Sequence, residues 1–284
     1  MLASSSPPPT PAGGARKLRV LCLHGFRTNT DVMRTQTQGM RDALGPHAEF
    51  VFVNGPFPSG GTTDEVILRK YGADAQFFEW WQVRYLDTEE IADLSAAQPK
   101  VWQARVATAK SKAESGDSEN KWTLHFDNIE ESLEYIMAQI AQHGPFDIAL
   151  GFSQGAIMLT MLSMLYLKKQ NVRPWRLCVC VCGVRVHGVN VRDLFETEEG
   201  EPVLVPYPSI HIAGKLDPLY DESLDLAAMY EDHPTGSPLA KLVIETDSGH
   251  KFPTPARFQA FYQELATTIL QFFEHSASSS LARL

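Results

Sequence analysis

The pentapeptide Gly151-Phe152-Ser153-Gln154-Gly155 constrains this chain more than any other stretch of its 284 residues. A strand-like run, Phe146 to Leu150, precedes it, and a helix-like run, Ala156 to Lys168, follows it. Gly-x-Ser-x-Gly in that setting fits a nucleophile elbow, in which the serine sits on a sharp strand-to-helix turn. Side chains two residues to either side would collide with neighbouring backbone, and glycine removes the collision. The helix would start beneath the serine, so its first N–H groups would favour negative charge near the hydroxyl.

The rest of the chain alternates in the same way. Strands are expected at 17–23, 49–53, 176–182, 209–213 and 242–245, and helices at 31–44, 127–143, 221–230 and 255–275. Such alternation predicts an α/β fold with a mostly parallel, doubly wound sheet and helices on both faces. A single domain over 17–275 is expected, between a disordered tail at 1–16 and a frayed tail at 276–284. Segment 57–126 breaks the rhythm and reads as a lid-like insertion carrying the pair Trp80-Trp81.

A serine hydroxyl needs a base, and the base needs a partner that fixes its tautomer. The order Ser…Asp…His expected of an elbow enzyme is met by Ser153, Asp217 in Gly214-Lys-Leu-Asp-Pro218, and His250 in Asp247-Ser-Gly-His250. Each of the three follows a strand, at the sheet edge where active sites of parallel sheets form. Asp221 reads more simply as a helix cap, and Asp247 as a turn former. His211 falls inside a strand and reads as packed; His24 reads as a loop organiser. The oxyanion donors expected are the backbone N–H groups of Gln154 and of Phe26, in the loop after the first strand, with Arg27 as the substitute for Phe26. Phe26, Trp80, Trp81, Phe152, Leu219 and Phe252 flank these loops and are the candidates for an apolar acyl pocket; core packing accounts for each of them equally well.

Leu21-Cys-Leu-His-Gly-Phe26, Gly151-Phe-Ser-Gln-Gly-Ala156, Gly214-x-x-Asp217-Pro218 and Ser248-Gly-His-x-x-Pro253, in that order, resemble the FSH-type serine hydrolases over about residues 17–274. The resemblance implies an α/β-hydrolase fold lacking the first strands of larger relatives. It also implies hydrolysis of carboxylic esters or thioesters with Ser153, Asp217 and His250 as the triad. Segment 84–124 is longer than usual for that family, and Ser248 stands where glycine is common.

Composition removes several classes. The net charge is −9 and no basic cluster is present, which argues against nucleic acid as a partner. Cys178, Cys180 and Cys182 alternate, but no zinc-type spacing accompanies them; they read as buried free thiols, as does Cys22, in a reducing compartment. No metal or cofactor motif is seen and no apolar run reaches the length of a membrane span. A cytoplasmic hydrolase of small-molecule esters or thioesters is therefore expected, with Arg16, Lys17 and Arg19 leaving organelle import open. A low-turnover ligand-binding receptor on the same fold is the rival from another class.

Overall fold

The structure is a computed structural model that describes residues 16–85 and 124–281. Its centre is a six-stranded sheet of β1 (Leu18–Leu23), β2 (Ala48–Val53), β7 (Ile148–Phe152), β8 (Leu177–Val181), β9 (Ser209–Gly214) and β10 (Leu242–Thr246). The order across the sheet is β10-β9-β8-β7-β1-β2, and every pairing is parallel. The order reverses beside β1, which places the carboxyl ends of β1 and β7 next to one another. In doubly wound sheets, ligands bind at such a reversal. Two short antiparallel pairs lie outside the sheet, β3 (Phe57–Pro58) with β4 (Phe78–Glu79) and β5 (Gln82–Tyr85) with β6 (Leu124–Asp127).

Strand alternation divides the core into two layers. Leu21, Leu23, Ala149, Cys178 and Cys180 point to one side, where they meet α4 (Ile129–His143) and α5 (Gln154–Gln170). Val20, Cys22, Ile148, Leu150, Val179, Ile210 and Ile212 point to the other, toward α2 (Gln38–Leu44) and α7 (Gln259–Leu281). The helix α5 is buried on every side from Gln154 to Tyr166, so its sequence shows no polar stripe. By contrast α4 carries one apolar face, with Ile129, Leu133, Ile136 and Ile140 buried. The fold is the expected α/β-hydrolase sheet.

Several boundaries differ from the sequence expectations. The run at 31–44 is two helices, α1 (Thr30–Gln36) and α2, broken at Thr37, whose hydroxyl donates to Met33 O and Arg34 O. The break lets Gly39 approach Tyr262 so closely that an added Cβ would stand 2.3 Å from its ring. The last helix starts at Gln259 rather than Pro255 and continues to Leu281, so the frayed tail expected from 276 is helical as far as that residue. Cys182 breaks the strand alternation: at φ 46° its side chain joins the layer opposite Cys178 and Cys180. All four cysteines are free and buried. Residues 86–123, the larger part of the expected insertion, lie outside the described residues.

The aromatic pair in the described part of the insertion is core. Trp80 is 0 % and Trp81 1 % exposed. Trp80 stacks on His24 at 5.0 Å, and Trp81 meets Phe126 at 4.8 Å. Trp80→Ala and Trp81→Ala should each lower stability by about 3–5 kcal/mol, as truncation of a core aromatic does. Thermal unfolding followed by circular dichroism checks this; an unchanged melting temperature for either variant would contradict the core placement.

Candidate active site

β7 ends directly at Ser153, whose backbone stands at φ 51°, ψ −116°, and α5 begins at Gln154. A positive φ is unfavourable for a residue with a Cβ and survives only where surroundings enforce it. The enforcement is visible. Ser153 N–H donates to Val181 O at 3.0 Å, while a Cβ on Gly151 would stand 2.4 Å from Gly155 O. A Cβ on Gly155 would stand 2.2 Å from Leu23 O, so α5 starts in direct contact with the end of β1. The two glycines are required by close approach.

Asp217 follows β9 and His250 follows β10, and the turn geometry brings both to Ser153. His250 Nε2 is 2.9 Å from Ser153 Oγ, and His250 Nδ1 is 2.7 Å from Asp217 Oδ2. The carboxylate can only accept, so Nδ1 carries the proton and the Nε2 lone pair faces the hydroxyl. Leu219 N–H donates to Asp217 Oδ1 at 2.8 Å, which fixes the carboxylate from behind. Gly214 makes room for the His250 turn: a Cβ there would meet Ser248 O at 2.4 Å. An array of hydroxyl, imidazole and buried carboxylate can move a proton off the serine oxygen and hold the resulting imidazolium. Asp221 and Asp247 are exposed and take no part in this array.

Cys182 lies beside the same group. Its thiol is within 3.9 Å of Gly249 O and 3.7 Å of Lys251 O, the carbonyls on either side of His250. Burial first, and the nearby Asp217 second, push this thiol up, so it stays protonated. Among the described residues, Cys182, Asp217 and His250 are the group whose donor atoms lie close enough to hold a metal ion, within 4.8 Å of one another. The hydrogen bonds of Asp217 and His250 already account for their arrangement.

The loop after β1 faces Ser153 across the sheet reversal. His24 is fully buried, and burial pushes its imidazole down to about 4. Gly55 N–H donates to His24 Nε2 at 2.9 Å, so the neutral ring carries its proton on Nδ1, which faces Gly25 O at 2.7 Å. Trp80 Nε1–H donates to His24 O at 2.8 Å. The Gln154 side chain accepts from Trp80 N at 3.3 Å and donates to Trp81 O at 3.1 Å. Arg27, at φ 53°, forms a 2.7 Å ion pair with Glu79, both 0 % exposed. Burial pushes the Glu79 carboxyl up and Arg27 opposes it. Sequence reasoning missed this pair and the part of Gln154; a charged residue, Glu79, between aromatic neighbours was the available signal. Gly25 passes so near Phe152 that a Cβ would stand 2.8 Å from its ring. Phe26 and the first turn of α5 thus border Ser153 from two sides. The Gln154 N–H, at the start of a helix, has no acceptor within that helix.

A cleft of about 460 Å³ opens onto Ser153 and His250. Of the six residues expected to line an acyl pocket, Phe26 and Phe152 line it. Trp80 and Trp81 do not: they lie in the core beneath the β1 loop. Leu219 is 1 % exposed behind Asp217, and Phe252 packs on Phe152 at 5.4 Å, so these two also serve packing rather than the cleft wall. The remaining wall comes from α1 and from α3 (Glu65–Tyr71), which the sequence reading did not single out.

A profile of the family described as Serine hydrolase (FSH1) matches residues 14–262. The esterase OVCA2 of Danio rerio is 27 % identical over 259 residues, covering 87 % of this chain and 95 % of the relative. The human esterase OVCA2 is 27 % identical over 250 residues, covering 85 % and 92 %. Rhodanese-like domain-containing protein 6 of Arabidopsis thaliana is 27 % identical over 275 residues, 39 % of its own length. Among solved structures, Zea mays acyl-protein thioesterase 2 superposes with a TM-score of 0.49 at 14 % identity, covering 91 % of this chain and 96 % of that one.

Two buried neutral imidazoles make the fold acid-sensitive. His211 is pushed down to about 3, by burial first and by Lys241 second. His24 and His211 take up a proton near 6.5 only in the unfolded chain, so between about pH 6.5 and 4 unfolding binds protons. The stability contributed by these two neutral histidines is therefore present above about pH 6.5 and is lost as pH falls toward their folded-state values. At pH 5 each histidine should account for about 2 kcal/mol of that loss. Urea unfolding at pH 7 and pH 5 measures it. His211→Gln should reduce the pH-dependent loss, and an undiminished loss in that variant would contradict the assignment.

Proposed function

Because the chain belongs to the FSH1 family of serine hydrolases, we propose that it hydrolyses carboxylic esters through an acyl-enzyme formed on Ser153. The observation that carries the reading is the pair of contacts at His250, 2.9 Å to Ser153 Oγ and 2.7 Å to Asp217 Oδ2. In the proposed reaction Ser153 Oγ attacks the ester carbonyl carbon while His250 Nε2 takes its proton. The carbonyl oxygen becomes an anion and accepts hydrogen bonds from the N–H groups of Gln154 and Phe26. Collapse of this intermediate breaks the bond to the alcohol oxygen, which leaves with the proton from Nε2. Water then repeats the sequence on the acyl-serine, with His250 as base and then acid, releasing a carboxylic acid and restoring the hydroxyl. Asp217 stays ionised throughout and stabilises the imidazolium.

Curated relatives carry the name esterase, which supports an ester as the substrate. Apolar lining by Phe26 and Phe152 supports an apolar acyl chain. Thioester cleavage would use the same groups, and matched oxygen and sulfur esters separate the two. No helix among the described residues is long and apolar enough to cross a membrane. Four buried free thiols support a reducing compartment such as the cytoplasm.

A fluorophosphonate probe should modify Ser153, read by peptide mass. Ser153→Ala should lower kcat by about a million-fold with the fold intact. Asp217→Asn should lower it by about ten-thousand-fold through the wrong histidine tautomer, whereas Asp247→Asn should have little effect. A probe adduct on another serine, or a crippled Asp247→Asn, would overturn the assignment.

A further inference from the structure

Cys182 is set apart from the other three cysteines by its backbone. It follows β8 directly, its N–H donates to Ile212 O at 2.8 Å, and its φ is 46°. A residue with a Cβ is held at positive φ against its own preference, and such positions gather at functional sites. The turn takes the thiol off the face shared by Cys178 and Cys180 and sets it against the carbonyls of Gly249 and Lys251, on either side of His250. The proton path of ester hydrolysis runs through Ser153 Oγ, the two nitrogens of His250 and Asp217, and it uses no thiol.

Cys182, Asp217 and His250 offer one sulfur, one carboxylate oxygen and one imidazole nitrogen, all within 4.8 Å of one another. A thiophilic divalent ion such as zinc takes these donor types, whereas magnesium and calcium take oxygen. Bond lengths of about 2.0–2.3 Å put the ligand atoms of tetrahedral zinc about 3.4–3.6 Å apart. The hydrogen-bonded Nδ1–Oδ2 pair, at 2.7 Å, would therefore open by less than ~1 Å. The turn has room for that movement, since a Cβ at Gly249 would meet nothing nearer than Leu216 O at 3.7 Å. Leu219 N–H, on Asp217 Oδ1, would keep the carboxylate in place. His250 borders the cleft with its side chain 15 % exposed, which gives an ion its way in.

We propose that Cys182, Asp217 and His250 form a binding site for one thiophilic divalent cation, zinc or its analogue cadmium, and that filling this site switches the hydrolase off. As the metal–sulfur bond forms, the thiol proton leaves to solvent. The ion takes the Nδ1 lone pair, so the ring proton moves from Nδ1 to Nε2. Protonated at Nε2, His250 has no lone pair for the Ser153 hydroxyl. Binding does not depend on turnover; the loss of activity rests on the ester-hydrolase reading of Ser153.

The test uses the full chain in a non-coordinating buffer. A single equivalent of cadmium chloride should produce the ultraviolet thiolate-to-cadmium charge-transfer band in the wild type and equally in Ser153→Ala, and the band should be absent from Cys182→Ser. Zinc chloride should slow both p-nitrophenyl acetate hydrolysis and fluorophosphonate labelling of Ser153 by about ten-fold or more, with EDTA restoring both and magnesium chloride affecting neither. In Cys182→Ser, measured against its own metal-free rate, the zinc concentration for half inhibition should rise by about ten-fold or more. No cadmium band in the wild type, or a band that survives in Cys182→Ser, would overturn the site. Equal zinc sensitivity of the two proteins would overturn the switch. If no ester is cleaved and no probe is taken up, the ester-hydrolase reading fails, and the cadmium band of the wild type still decides the site.

Discussion

Everything at the proposed site depends on one backbone conformation, the positive φ of Ser153. An L-residue at φ 51° is held against its own preference. Here the holding is done by Gly151 and Gly155, which let β7, α5 and β1 meet with carbonyl oxygens where Cβ atoms would otherwise stand. The outcome is a hydroxyl lifted above the sheet edge, with a helix N-terminus behind it. His250 and Asp217 need only ordinary turns at the ends of neighbouring strands to reach it. The strained residue is therefore the reference point, and the other groups are positioned relative to it by sheet register.

The second half of the site is fixed from below. In the proposed mechanism the loop after β1 must hold Phe26 at a set distance from Ser153, yet a loop by itself does not supply such rigidity. His24, Trp80 and Gln154 supply it through a continuous chain of hydrogen bonds: Gly55 to His24, Trp80 to His24, and Gln154 to both Trp80 and Trp81. Gln154 thus belongs to two structures at once. Its backbone begins α5 beside the hydroxyl, and its side chain ties that helix to Trp80 and Trp81, in the segment between β4 and β5. The buried pair Arg27–Glu79 closes the same loop from the other side. A buried pair of this kind adds little net stability over an apolar replacement, but losing one member costs about 3–5 kcal/mol, so it specifies geometry.

Much of this was legible in the sequence because it is local. The elbow, the order Ser153, Asp217, His250, and the strand-helix alternation are written in short segments, and a parallel sheet converts that order into proximity. What was not legible depends on contacts between distant segments. Trp80 and Trp81 look like a lid by position, since they sit in an irregular stretch; only the register of β3 with β4 and the packing of Phe126 place them in the core. Leu219 and Phe252 neighbour the right loops in sequence but face inward. The cleft wall was missed for the converse reason. The sequence of α3, Glu-Val-Ile-Leu-Arg-Lys-Tyr, gives no sign of which side it presents until α1 is set opposite it. The helix break at Thr37 was hidden because it goes with the close approach of Gly39 and Tyr262, which are far apart in the chain.

In the proposed mechanism Ser153, His250 and Asp217 act as one relay facing oxyanion donors on Gln154 and Phe26. The most direct measurement is a crystal structure of the protein inhibited by an alkyl fluorophosphonate, which leaves a stable mimic of the tetrahedral intermediate. Phosphorus should be bonded to Ser153 Oγ, with the phosphoryl oxygen within hydrogen-bond distance of the N–H groups of Gln154 and Phe26 and His250 still bridging to Asp217. A phosphoryl oxygen directed to solvent, or a His250 ring turned away from Asp217, would contradict it.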